Sequence, residues 1–451
     1  MAKFSSLNVG DAKVFRLSDY DCVGFDLDNT ICRYKLSSMV KMEYEVIADY
    51  LVREKGYNPE YLLKPFEANL DFVKKGLLLD FARGNVVQIR FDGYIAKASH
   101  GTRFLSEKEI IEVYGPNRKW DVAEKFTQNM LEAWNGPLSE KVRTLLDYFD
   151  MPASLAFARA VDSVDAAAEG KSVETYTVWP DVHDALLYMF KRERFSLNEG
   201  GYFPALKSDP DQYIIKCSNN VLSWLRLLKS KKVTFLITGS HVDFASFTAT
   251  HCMGEDWRNL FDVVVCYARK PGFFTGVRPF IALDGFEERD SITAADMKPG
   301  NIYSQGNWQD LQQFLKMATK EETPKCLYVG DNLIQDIYTP SEYTRCDTVS
   351  VVEELSAEGM VGSHKKHSDS QILVSDTWGS YFCCGGKGSF DANCTLWSKI
   401  IQNHSQICVP DLECLANHNL DHCYSPFVVE EDSCKQMGYY PSCPASLAVL
   451  L

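Results

Sequence analysis

Five short apolar runs constrain the fold of this chain more than any other feature. They are 22–26, 233–238 (VTFLIT), 261–266 (FDVVVC), 325–329 (KCLYV) and 348–352. Each is short, and most stop at or just before a polar residue, which is the pattern of a strand buried on both faces of a parallel sheet. Between the later runs the spacing turns helical, with Phe244, Phe247 and Met253 after the second run and 310–317 before the fourth. Strands alternating with helices imply an α/β protein with a parallel sheet wound on both sides.

The first run is separated from the others by residues 36–230, which makes that block an inserted domain. Its apolar residues Met39, Met42, Val46, Ile47, Tyr50 and Leu51 recur at helical spacing, and Gly56 supplies a stop. Residues 76–99 alternate β-rich runs with turn signals at Arg83-Gly84-Asn85 and Asp92-Gly93, which predicts a three-stranded antiparallel meander. Residues 120–230 read as mostly helical, so the inserted domain is α+β. The division is then 1–35 for the first part of the core, 36–230 for the insertion, 231–361 for the rest of the core and 362–451 for a cysteine-rich extension. Within the core, 275–307 reads as a mainly polar excursion.

A length of 451 residues leaves room for two or three domains, and 45% hydrophobic with 24% charged residues is ordinary for a soluble globular chain. The net charge of −14 argues against bulk attraction to nucleic acid or to an anionic membrane, and favours solubility without forbidding a homo-oligomer. No apolar run approaches the ~20 residues a membrane span needs. The first residues, MAKFSSLNVGDAKVF, do not read as a signal peptide, so a cytoplasmic protein is expected. Eight of the fifteen cysteines follow residue 382, and free buried thiols are expected of a chain with that setting.

The polar residues at the strand ends carry the chemistry. Asp26 and Asp28 end the first run, Thr238 with Ser240 the second, Lys270 follows the third, and Asp331 with Asp336 follows the fourth. In open α/β sheets ligands sit beyond the carboxyl ends of the strands, so these residues can converge. Their types suit phosphoryl transfer. One Asp (Asp26) attacks phosphorus, and a second (Asp28) protonates the leaving oxygen and later activates water. Attack on a phosphate dianion needs neutralising charge. Mg²⁺ on Asp26, the main-chain carbonyl of Asp28 and Asp331 would supply it, with Asp336 orienting the metal or its waters. Thr238 and Lys270 would contact the phosphoryl oxygens.

The segments DLDNT, FLITGS, the lysine of ARKPGFF and LYVGDNLIQDI resemble, in this order, the four motifs of the haloacid dehalogenase superfamily, and within it the cytosolic 5′-nucleotidase branch. The resemblance implies a Rossmann-like core, a cap between the first and second motifs, Mg²⁺ dependence and hydrolysis of a small-molecule phosphate monoester such as a nucleoside 5′-monophosphate. Matched by position, it makes Asp26 the nucleophile, Asp28 the acid/base, Asp26, Asp28 and Asp331 the metal ligands, and Thr238 and Lys270 the phosphate contacts. Two features depart from the purine nucleotidases of the branch: Gly239 stands where they have Asn, and the helix DVHDALLYMF turns apolar at Leu187 and Phe190. A non-catalytic scaffold with the same fold is the competing reading. A phospho-receiver switch is a third, but its phosphorylated Asp comes from a middle strand of the order, and its domain is smaller.

Overall fold

The computed structural model describes residues 13–363, 367–385, 393–427 and 438–448. Residues 1–12 of the expected first core segment lie outside them, as do 364–366 and 386–388 of the polar and glycine-rich stretches in the extension.

The fold is mixed α/β, built on a nine-stranded sheet. In spatial order its strands are Glu287–Ile292, Phe280–Asp284, Asn301–Gln305, Val263–Cys266, Val233–Ile237, Cys22–Phe25, Cys326–Gly330, Asp347–Val351 and Ile407–Val409. The pairings from Asn301–Gln305 to Ile407–Val409 are all parallel, whereas the remaining two strands pair antiparallel at one edge. All five apolar runs become strands of this one sheet. The central one, Cys22–Phe25, is buried throughout, as a parallel strand covered on both faces must be. Gly24 is the place where Phe235 of the neighbouring strand crosses it, and a Cβ there would stand 2.0 Å from that ring.

Chain order along the sheet reverses beside the central strand. Val233–Ile237, Val263–Cys266 and Asn301–Gln305 are laid down on one side of it, and Cys326–Gly330 on the other. Such a switch opens a crevice at the carboxyl ends of the flanking strands. Asp26 and Asp331 immediately follow the two strands that frame it.

The polar excursion at 275–307 folds as the hairpin Phe280–Asp284/Glu287–Ile292 followed by Asn301–Gln305. Its outer strand has the sequence EERDSI and is largely exposed, so charge that protects a sheet edge also hides the strand's alternation. Likewise the 362–451 stretch supplies the helix Leu396–His404 and the strand Ile407–Val409 at the opposite edge. Three residues are too few to leave a periodic signal. Every cysteine among the described residues is a free thiol, and no helix among them is long and apolar enough to cross a membrane.

Residues between the first two core strands form a second, five-stranded antiparallel sheet with helices against it. The expected meander is there as Leu78–Asp80, Asn85–Ile89 and Ile95–His100, extended by Arg103–Phe104 on one side and Val142–Thr144 on the other. The helix Leu36–Lys55 buries Met39, Ile47, Ala48 and Leu51 and ends at Gly56, whose φ of 77° is the left-handed geometry of a C-terminal stop. Arg33–Tyr34, where the chain leaves the core, pairs antiparallel with Ile214–Ile215, where it returns. That short ribbon is a neck, and it fixes Tyr34 next to the end of the central strand.

Candidate active site

A carboxylate buried at a strand end is costly unless something compensates it. Here Asp26, Asp28, Asp331 and Asp336 are all buried in one crevice. Lys270 Nζ, itself buried, donates to Asp26 Oδ1 at 2.8 Å and to Asp336 Oδ1 at 2.6 Å. It lies 3.4 Å from Tyr328 Oη, whose hydroxyl donates to the Ile237 carbonyl at 3.1 Å. Burial pulls the Lys270 ammonium downward, but the charges of Asp26 and Asp336 outweigh it and hold the pKa well above its ordinary value. Lys270 is therefore a fixed positive charge linking two strand ends.

One ammonium does not balance the group. Asp26, Asp331 and Asp336 each offer an oxygen within 4.8 Å of the others. Asp331 Oδ1 accepts from Thr30 Oγ1 at 3.3 Å, while its Oδ2 is buried without a hydrogen-bond partner. Burial, then the charges of Asp147 and Asp26, push the Asp331 carboxyl well up. Burial does the same to Asp336, to about 7. An orphaned oxygen in a set of hard carboxylate donors is what a divalent cation such as Mg²⁺ would complete, so the residues present fit that ion. Asp336 reaches the group because Leu333–Tyr338 is a π-helical turn after Gly330, with the Asn332 side chain accepting from the amides of Ile334 and Gln335.

Asp28 is held differently. Tyr34 Oη donates to its Oδ1 at 2.6 Å, Ser240 Oγ to its Oδ2 at 2.8 Å, and Thr238 Oγ1 more weakly at 3.5 Å. Burial first, and Asp26 second, raise its pKa to about 7. Both protonation states are then populated near neutrality. Beside Asp26 and Asp28 opens a cavity of about 260 Å³. Its floor is Asp26, Asp28, Gly239, Ser240, Lys270 and Asp336, and its walls include the aromatic rings of Phe149, Phe190, Phe195, Tyr202 and Phe203. The floor comes from the nine-stranded sheet, while those five walls come from the inserted residues.

A sequence profile of the 5′ nucleotidase family matches residues 12–377. The chain belongs to the 5′-nucleotidase family. Among its relatives, human 5′-nucleotidase domain-containing protein 1 is 35% identical over 460 residues, covering 97% of this chain and 98% of the relative. The protein of the same description from Bos taurus is 35% identical over 457 residues, covering 97% and 98%. 5′-nucleotidase domain-containing protein 2 of Rattus norvegicus is 26% identical over 451 residues, covering 91% of this chain and 77% of the relative.

The stretch matched to the 5′-nucleotidase family holds all seven strand-end residues singled out in the sequence, and the fold brings them together at one crevice. Asp26, Asp28, Lys270 and Asp336 line the cavity, and Asp331 joins through the carboxylate group. Thr238 is fully buried beneath it; its Oγ1 accepts from the Ser240 amide at 3.1 Å, and Ser240 is the hydroxyl that faces the cavity. Two further residues stand out. Tyr34 binds Asp28 from the neck, and Asp147, from the insertion, accepts from Asn29 Nδ2 at 3.0 Å while lining the cavity. Asp147 carries no motif, and its place is set by the packing of the inserted residues, so spacing along the chain holds no sign of it.

Proposed function

We propose that this chain is an Mg²⁺-dependent phosphohydrolase of the haloacid dehalogenase superfamily, cleaving a phosphate monoester through an aspartyl-phosphate intermediate. A nucleoside 5′-monophosphate is the substrate class that its family points to. The observation that carries the reading is the orphaned Asp331 oxygen in a buried carboxylate group that Lys270 only partly neutralises, at the switch point of the sheet.

Asp26 is the nucleophile. Asp28, poised near neutrality, gives its proton to the departing ester oxygen, then takes one from the water that attacks the aspartyl phosphate. Tyr34 and Ser240 hold that carboxyl in place for both steps. Lys270 keeps Asp26 oriented and offers its charge to the phosphoryl group, with Ser240 as the hydroxyl on the other side and Thr238 supporting its amide from beneath. Asp26, Asp331 and the Asp28 carbonyl would hold Mg²⁺, with Asp336 steadying it; when bound, the ion offsets the repulsion between nucleophile and phosphate dianion. The inserted residues act as a cap whose aromatic walls exclude water and receive the apolar part of the leaving group.

The test is phosphate release from a panel of nucleoside monophosphates and sugar phosphates, in Mg²⁺ or in EDTA, for the wild type and Asp26→Asn. Release that requires the metal and falls by at least ~10³-fold in the variant is expected. Metal-independent release, or an Asp26→Asn variant as fast as the wild type, would refute it.

A further inference from the structure

The turn between Val142–Thr144 and the helix Pro152–Ala167 touches the loop after the central strand at two points. First, Asp147 Oδ1 accepts from Asn29 Nδ2 at 3.0 Å. Second, the Phe149 ring meets the Tyr34 ring edge-on, centroids 5.0 Å apart at 76°. Each contact leads straight to the chemistry. Asn29 adjoins Asp28 in the chain, and Tyr34 donates the 2.6 Å hydrogen bond to the Asp28 carboxyl.

The turn is itself braced. Asp147 Oδ1 also accepts from the Phe149 amide at 3.2 Å, and the Asp147 amide donates to Asp150 Oδ1 at 3.2 Å. The loop it holds is under constraint. Asn29 has a φ of 58°, in the left-handed region where few side chains rest without support, and its amide donates to the Cys32 carbonyl at 2.8 Å. An acceptor fixed on the Asn29 side chain helps to select that conformation. The inserted residues connect to the core through the Arg33–Tyr34/Ile214–Ile215 ribbon, so movement about this neck would part Asp147 from Asn29 and Phe149 from Tyr34 together.

We propose that Asp147 is a positioning residue: with Phe149 it clasps the Asn29–Tyr34 loop, so that Asp28 is aligned for proton transfer only while the inserted residues are closed on the core. This deepens the hydrolase reading and rests on it for its kinetic consequence, but the clasp can be measured without turnover. Closure would then do two things at once, excluding water and completing the acid.

Two variants and two readouts test it. Asp147→Ala removes the acceptor, whereas Asp147→Asn keeps an amide oxygen that Asn29 can still use. In the phosphate-release assay, Asp147→Ala is expected to lower kcat by about ten- to a hundredfold with KM within about threefold, and Asp147→Asn to stay within about threefold of the wild type in kcat. In the protein without substrate, the amides of residues 29–32 are expected to exchange at least about fivefold faster in Asp147→Ala, and at the wild-type rate in Asp147→Asn. Equal exchange in all three proteins would overturn the clasp whether or not any ester is cleaved. An Asn variant as impaired as the Ala variant would also overturn it, since charge rather than position would then matter. So would a loss carried by KM, which would place Asp147 in substrate binding. Exchange that follows the expected pattern, in a protein with no turnover, would keep the clasp and reject the hydrolase.

Discussion

Glu43 shows how far one buried group can set the behaviour of this protein. It lies on the helix Leu36–Lys55, fully buried, and neither of its carboxyl oxygens has a hydrogen-bond partner. Burial, followed by the charges of Asp147 and Asp150, raises its pKa well above the ordinary value. Folding therefore takes up a proton here. A raised folded-state pKa gives stability that is complete below the unfolded pKa of about 4.3 and is lost as pH climbs toward the folded value, at up to about 1.4 kcal/mol per pH unit. Gln keeps the shape and cannot titrate. The urea midpoint of Glu43→Gln should thus gain on that of the wild type between pH 5 and 7.5, and parallel pH profiles would contradict this assignment. Burial acts on the Asp28 carboxyl in the same direction, raising its pKa to about 7.

At the scale of elements, the link from Cys326–Gly330 to the π-helical turn Leu333–Tyr338 decides whether Asp336 reaches Lys270. Gly330 permits it by having no side chain, for a Cβ there would stand 2.4 Å from Asp336 Cβ and 2.7 Å from its Cγ. Gly330→Ala should cost about 1–3 kcal/mol of stability through overpacking. It should also lower phosphate release by about tenfold or more, since Asp336 is forced off Lys270. Adding Asp336→Asn to that background should cost little more, because the two changes remove the same contact; full additivity in kcat would show that the displacement does not occur. This element also marks the limit of reading the chain by pattern. The strand at 325–329 and Asp331 were legible from an apolar run ending in polar residues, and the spacing to Asp336 matched a motif. That the turn would be π-helical was not, because its hydrogen-bond shift follows from side-chain caps and packing rather than from periodicity.

For the whole molecule, the same division holds. The parallel sheet was legible because strands buried on both faces are written as short apolar runs. The hairpin at Phe280–Ile292 and the edge strand Ile407–Val409 were not, since an edge strand tolerates charge and a three-residue strand has no period. In the site, Asp26, Asp28, Lys270 and Asp331 stood out because strand ends converge in such sheets. Asp147 did not, because only the docking of the inserted residues on the core brings it to Asn29. These parts meet in one proposal, that the crevice at the switch point makes and breaks a phosphate bond to Asp26. Rapid quench of a single turnover with ³²P-labelled nucleoside monophosphate in Mg²⁺, followed by peptide mapping, tests it most directly. Label is expected to appear on the peptide holding Asp26, to decay as free phosphate rises, and to be absent in Asp26→Asn. Free phosphate appearing at the wild-type rate with no labelled protein at any time would contradict it.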